Sequence, residues 1–338
     1  MVIDSLQGAA TGLSGIILVD KPRGMTSFGV ISRMRRLTGI RRIGHTGTLD
    51  PFADGLLVVC LGRATAAVQF MERYDKTYRV GIVFGRATDT QDLTGQTTFA
   101  RDLTAAEADR MRQNNFADLR QAAQDLVGVR QQRPPMYSAV KIEGRPLYEY
   151  ARKGQEIERE ARTIQVYAAT VDDVALAGHL RASLTIRCSK GTYIRTLADD
   201  LGRQLGFGAH AESLTRLQCG PFQLEQAASL DQLQGWRDSQ PDPAAFLAAL
   251  QAAGRLLPVD RAFDEFPAIH LNDEESLRLI NGQPVEIAVP AVADPAGTIA
   301  VYGRGRLIAA ARLSAASPDT AWLITERVLV DLADFRQS

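Results

Sequence analysis

The stretch GHTGTLDPFADGLL, residues 44–57, decides how this chain is read. Two glycines and a histidine lead to an Asp-Pro bond, an Asp-Gly pair follows, and the segment then turns apolar. Proline at 51 pushes Asp50 toward an extended conformation, and the flanking glycines permit sharp turns. The carboxylate therefore sits on a shaped loop just before a buried strand. Two readings stand side by side: Asp50 caps a helical turn that starts at Pro51, or it presents a carboxylate for chemistry. Asp54, beside Gly55, reads as a turn residue.

Working outward, the chain has 338 residues, 45% of them apolar, and a formal net charge of zero. That length favours one large domain with a smaller one, and the apolar fraction supports an ordinary core. No apolar run approaches the roughly 18 residues that span a bilayer, and the opening MVIDSLQGAATG has neither a basic end nor a leader-like block. The expectation is a soluble cytoplasmic protein with no membrane partner. Cys60, Cys188 and Cys219 are odd in number and far apart, so they read as small core residues. They suggest neither a disulfide framework nor a zinc site. With no overall charge to draw it to a polyanion, any nucleic-acid surface must be local. Lysine occurs only at positions 21, 76, 141, 153 and 190, all in segments bearing glycine, tyrosine or proline. A compact point charge fits where the forked arginine does not, so these lysines are pointers.

Residues 1–14 read as a loose arm, residues 15–257 as the main domain and residues 258–338 as a small β-barrel-like module behind a helical linker. Thr26 and Ser27 cap a helix through Leu37, with Val30, Ile31, Met34 and Leu37 at helical spacing. Arg33, Arg35 and Arg36 face elsewhere and, with Arg41 and Arg42, make the densest basic stretch, either a solvated face or a phosphate contact. YRVGIVFG (78–85) and LRASLTIRC (180–188) alternate as half-buried strands. A helical stretch lies between Arg101 and Gly128, and GTYIRTLADDLGRQLG reads as a helix capped by Thr192. From about residue 259 come the strand candidates PVEIAV, GTIAVYG, RLIAAARL and AWLITERVLV, with a short helix from Glu274 to Ile280. The class is α+β, with a mixed, largely antiparallel body. No GxGxxG or GxxxxGK[ST] match argues for a nucleotide cofactor.

If Asp50 is catalytic, a lone carboxylate suits nucleophilic attack or proton abstraction, and either needs it ionised. Arg195, in the first turn of the helix after Thr192, faces a macrodipole that disfavours a cation by about 0.3–1 kcal/mol. It asks for an anion, either Asp50 or Asp199 one turn on. Tyr78 shares a strand face with Val80, Ile82 and Phe84. It reads as a core tyrosine or as a surface on which an extruded base rests. His45 is a hydrogen-bonded loop histidine or a side chain that fills the gap left by such a base. His179, His210 and His270 show no metal-ligand spacing with it.

Taken in order, VDKPRGMTS, GHTGTLDPFADGLL, KTYRV, GRATDTQDLTG, PPMYSAVKIEGRPLYEYARKG and SKGTYIRTLADDLG resemble the bacterial tRNA pseudouridine synthase B family over about residues 15–220. The tail, from LLPVD through GRLIAAARL, is loosely similar to that family's PUA-like RNA-binding module. The resemblance implies the pseudouridine synthase fold. It also implies isomerisation of the uridine at position 55, in the T loop of tRNA, to pseudouridine, with no cofactor or metal. It implies that Asp50 is the catalytic aspartate, Tyr78 the stacking tyrosine and Arg195 the arginine paired with the carboxylate. His45 then enters the space of the flipped nucleotide, and Leu214 packs against the pocket. Lys21, Lys76, Lys190 and Tyr193 become substrate or pocket contacts, and Arg33, Arg35, Arg36, Arg41 and Arg42 backbone contacts. The partner is the T arm of tRNA, with no obligate protein partner and a monomer as the simplest state.

A rival reading is a non-catalytic tRNA-binding or tRNA-folding protein on the same scaffold, and folding is also open as a second activity of one enzyme. A guide-dependent synthase is disfavoured by the lack of basic tails. Sequence does not order the chemical steps at Asp50.

Overall fold

A ten-stranded mixed sheet carries the body of the molecule. The computed structural model describes residues 13–138, 140–142, 144–288, 297–315, 317 and 319–337, so all of the expected N-terminal arm but Leu13 and Ser14 lies outside the described residues. Across the sheet the strands run Ala228–Ser229, Gly15–Lys21, Asp54–Leu61, Ala209–Cys219, Lys76–Phe84, His179–Cys188, Arg162–Ala177 and Gly128–Gln132. Ile43–Thr46 and Phe222–Gln223 pair with Asp54–Leu61 and Ala209–Cys219 respectively. Only two pairings on the path are parallel, Gly15–Lys21 with Ala228–Ser229 and Asp54–Leu61 with Ala209–Cys219. The largely antiparallel reading is correct.

Period-two alternation explains where these strands sit. Val80, Ile82 and Phe84 enter one core with Leu184 and Ile186 of the adjacent strand, beneath Leu197 and Leu201 of the Ile194–Gln204 helix. The strand that the opening stretch feeds, Asp54–Leu61, is buried on both faces. Leu56, Val58 and Cys60 meet Phe70 and Phe263, while Leu57, Val59 and Leu61 meet Val30, Met34 and Leu37 of the Ser27–Thr38 helix. Each of these side chains contributes about 1.5–3 kcal/mol by leaving water. The three cysteines are free and buried in these cores.

The Ser27–Thr38 helix begins as expected, with Thr26 Oγ1 accepting from the Gly29 N–H at 2.9 Å. Thr192 behaves otherwise. Tyr193 is the N-cap of the Ile194–Gln204 helix, and Thr192 donates its hydroxyl to Ser189 O at 2.9 Å. The side-chain amide of Gln132, on the sheet's edge strand, serves the cap. It accepts from Tyr193 N–H at 2.8 Å and donates to Tyr193 O at 3.0 Å. The helical stretch after Arg101 is two helices, Ala105–Gln113 and Ala117–Gln124, broken where Asn115 and Phe116 take φ of 51° and 55°.

The C-terminal strands form a second sheet in the order Ala268–Leu271, Ile299–Gly303, Arg306–Ala315, Thr320–Val328 and Val285–Ala288, with the helix Asp273–Ile280 packed on it. The five-stranded arrangement fits a PUA-like unit. Four strands match the sequence candidates, and Ala268–Leu271 was not among them. The sheet docks on the body through Ala300, Leu307, Ala310 and Leu329, and through an Arg63–Asp331 ion pair at 2.9 Å.

Candidate active site

The loop before Asp54 is pinned from three directions. Ser27 Oγ accepts from Leu49 N–H at 2.9 Å and donates to Leu49 O at 3.2 Å, and Gly24 N–H donates to Pro51 O at 2.7 Å. From below, Arg216, 1% exposed, donates through Nε to Leu56 O at 2.7 Å and through Nη1 and Nη2 to Gly47 O at 3.1 Å each. One guanidinium therefore ties both ends of the loop. Gly55 is required here: its φ is +94°, and a Cβ would lie 2.5 Å from Arg216 O.

Asp50 does turn the chain, but with its backbone, since Ala53 N–H donates to Asp50 O at 3.1 Å. Its carboxylate goes to Arg195, with Nε and Oδ2 2.8 Å apart. Arg195 is 3% exposed at its side chain and Asp50 35%. The guanidinium also donates to Thr90 O at 2.6 Å and Tyr137 O at 2.8 Å, and faces Asp92 Oδ2 at 3.6 Å. Asp199, the other anion considered for Arg195, pairs with Arg203 and accepts from Gln91 at 3.2 Å. Asp54 is no mere turn residue: it opens the strand and accepts the Thr215 hydroxyl.

Burial raises the pKa of Asp50 above the usual carboxylate value, and Asp92 adds to that. Arg195 opposes it, with a smaller pull from Lys21. Asp92 is itself held on its other oxygen by Thr90 Oγ1 at 2.8 Å and by Thr94 Oγ1 at 2.6 Å. These groups open onto a cleft of about 830 Å³, walled by His45, Phe28, Tyr137 and Tyr148.

His45 faces this cleft with a buried Nδ1 that has no hydrogen-bond partner among the described residues. Burial, then Arg216, pushes its pKa down, so the ring is neutral near pH 7. Tyr78 and Leu214 are not in the cleft wall. Tyr78 packs against the core cluster that contains Leu49, Phe52 and Leu214, and burial pushes its hydroxyl up to about 12 against the pull of Arg216. Tyr193 is half-buried, within electrostatic reach of Arg195 and Asp50. Lys21, 0% exposed, donates to Pro22 O and Met25 O at 3.0 and 2.6 Å. Burial brings it down to about 8, with Asp54 and Asp50 opposing. Lys76 is buried and donates to the carbonyls of Glu72 and Tyr74. Lys190 is exposed in the turn before the Arg195 helix. Arg36, Arg41 and Arg42 are exposed and Arg33 and Arg35 half-buried. Arg42 donates to Thr65 Oγ1 at 2.6 Å, and Arg35 donates to Arg41 O at 3.2 Å.

Sequence reasoning missed Asp92, Phe28, Tyr137 and Arg216. Arg216 carried a signal, a charged residue in the inward phase of the strand that buries Leu214. Asp92 sat in a run of Thr, Asp and Gly that reads as a plain turn.

A model described as the TruB family pseudouridylate synthase N-terminal domain matches residues 35–194, and a tRNA pseudouridylate synthase B C-terminal domain model matches residues 195–264. A tRNA pseudouridine synthase B of Burkholderia pseudomallei (strain 668) is 39% identical over 310 residues, covering 90% of this chain and 95% of the relative. The chain belongs to the tRNA pseudouridine synthase B family. Another member, from Bordetella avium (strain 197N), is 45% identical over 246 residues, covering 73% of this chain and 96% of its own length. The fold of this synthase B chain is shared with a Cbf5-Nop10-Gar1 complex, at TM-score 0.69 and 22% identity over 95% of this chain and 86% of that one. It is shared also with an H/ACA RNP bound to a substrate RNA containing 2′-deoxyuridine, at TM-score 0.66 and 20% identity over 96% and 86% of the two chains.

Proposed function

We propose that Asp50 is the carboxylate with which this synthase isomerises uridine to pseudouridine in tRNA, and that its target is position 55 in the T loop. The observation that carries the reading is the Asp50–Arg195 contact at 2.8 Å on the floor of an open cleft. A buried cation resists protonation of the carboxylate, and an ionised carboxylate is what attack or proton abstraction requires. The reaction exchanges the N1–C1′ bond for a C5–C1′ bond. C5 gives up its proton and N1 gains one, so no oxidant, reductant or co-substrate enters the balance.

The target base leaves its stack, which costs a few kcal/mol, and stacking on Tyr78 offsets part of that. Because Tyr78 is half-buried under the Asp50 loop, this role requires the base to enter deeply, past His45. His45, neutral and with an open Nδ1, suits the space the base vacates. Leu214 packs against the pocket from the core side, Lys21 and Lys76 brace the neighbouring backbone from within the fold, and Tyr193 and Lys190 act as pocket or substrate contacts. The arginines from Arg33 to Arg42 meet phosphates, and shape recognition of the T arm supplies selectivity. Residues 15–257 are the catalytic unit and 258–338 the RNA-binding unit of a monomer that works in the cytoplasm without an obligate protein partner or cofactor.

The test is pseudouridine formation on a T-arm stem-loop transcript, wild type against Asp50→Asn, with RNA binding followed in parallel. The variant should bind and convert nothing. A wild type that binds without converting would return Asp50 to a loop residue and the chain to an RNA-folding scaffold.

A further inference from the structure

We propose that Phe28 is a second base-binding platform, on the rim of the cleft, for a nucleobase other than the one that reacts. The inference rests on reading the cleft as an RNA-modifying site. Phe28 stands in the first turn of the Ser27–Thr38 helix, whose inward positions are filled by Val30, Ile31, Met34 and Leu37. The core has no use for its ring, which is 67% exposed, the most of any aromatic among the described residues.

Three observations give that ring a ligand. It lines the same cleft as Asp50. The Arg35 guanidinium, two turns along the helix, lies 5.7 Å from the ring centroid. In the lining of the same cleft the pairing recurs, with Arg152 5.4 Å from the ring centroid of Tyr148. Aromatic faces that hold bases, beside guanidinium groups that meet the charged backbone, are the arrangement that binds unpaired nucleic-acid strands. The placement is fixed as well. Ser27, the residue before Phe28, is doubly hydrogen-bonded to Leu49, the residue before Asp50. The platform and the carboxylate are thus braced to each other through two adjacent backbone positions, and a loop nucleotide flanking the target lies within reach of the ring.

The experiment is a binding matrix. T-arm stem-loops, each with one loop nucleotide other than the target made abasic, are titrated against wild type, Phe28→Ala and Phe28→Trp. On intact RNA, Phe28→Ala should weaken binding by roughly five- to a hundredfold, the span that stacking one base on one ring commands. One abasic position should weaken wild type by a similar factor and leave Phe28→Ala unaffected. Phe28→Trp should bind like wild type, with the melting temperature unchanged in both variants. If Phe28→Ala binds intact RNA as wild type does, or its loss multiplies with every abasic substitution, the platform does not exist. A wild type that shows the Phe28 coupling but forms no pseudouridine refutes the proposed catalysis alone. Isomerisation without any coupling refutes the platform alone.

Discussion

Replacing Arg195 by lysine keeps the charge and removes the fork, which makes it a sharp probe of the site. The native guanidinium spends Nε on Asp50, Nη1 on Thr90 O and the Asp92 side, and Nη2 on Tyr137 O. A lysine ammonium is a single point, and it cannot serve Asp50 on one flank and both carbonyls on the other. At least two acceptors, Thr90 O and Tyr137 O, lose charge-assisted bonds at about 1.5–3 kcal/mol each, so the site loses about 3–6 kcal/mol. That is a large share of the ~5–15 kcal/mol that holds a domain folded, yet within it, so the variant should fold with a lowered melting temperature. Both carbonyls belong to segments that wall the cleft. Their displacement by even ~1 Å should reduce single-turnover rate by about a hundredfold. Release of tritium from C5 of labelled uridine reports the step directly, and thermal melting run alongside separates stability from rate. A variant that melts lower yet turns over within threefold of wild type would show that Arg195 serves only the fold.

Because burial and Asp92 raise the pKa of Asp50, activity should fall with decreasing pH along a limb centred above the ordinary value of 3.8. Asp92→Asn removes the like charge and should move that limb to lower pH; a limb that stays put would deny the coupling. Tyr78→Ala should lose most turnover while RNA affinity is kept, as measured by single-turnover rates at saturating enzyme, and a matching loss of affinity would make Tyr78 an anchor. Gly55→Ala forces a Cβ against Arg216 O at 2.5 Å in a backbone of positive φ. It should cost about 1–3 kcal/mol or more, and an unchanged melting temperature would refute that account.

What the sequence displayed, and what it hid, divides along physical lines. The alternation of Val80, Ile82 and Phe84 names a buried face whatever its partners are, so the central strands were legible. Arg195 was legible because a cation in a helix's first turn needs an anion nearby. The structure supplies two, Asp50 and Asp92, drawn from outside the helix. The rest of its shell is backbone carbonyl from Thr90 and Tyr137, groups that every residue carries and no sequence can mark. The Thr192 cap failed for the same reason. The amide that replaced it comes from Gln132, some sixty residues upstream, on a strand whose edge position only the folded sheet reveals. Asp54 read as a turn because Asp-Gly usually is one; its strand role depends on Thr215 across a parallel pairing.

The sheet order has a consequence for the birth of the enzyme. Ala209–Cys219 lies between Asp54–Leu61 and Lys76–Phe84, yet it leaves the ribosome long after both. It brings Arg216, the clasp on Gly47 and Leu56, and so the two earlier strands must wait apart for a late insertion. Non-local pairing of this kind makes for slow closure. No nascent or truncated chain ending before residue 216 has the guanidinium that closes the Asp50 loop, so the carboxylate is set in place only after that late strand has been made.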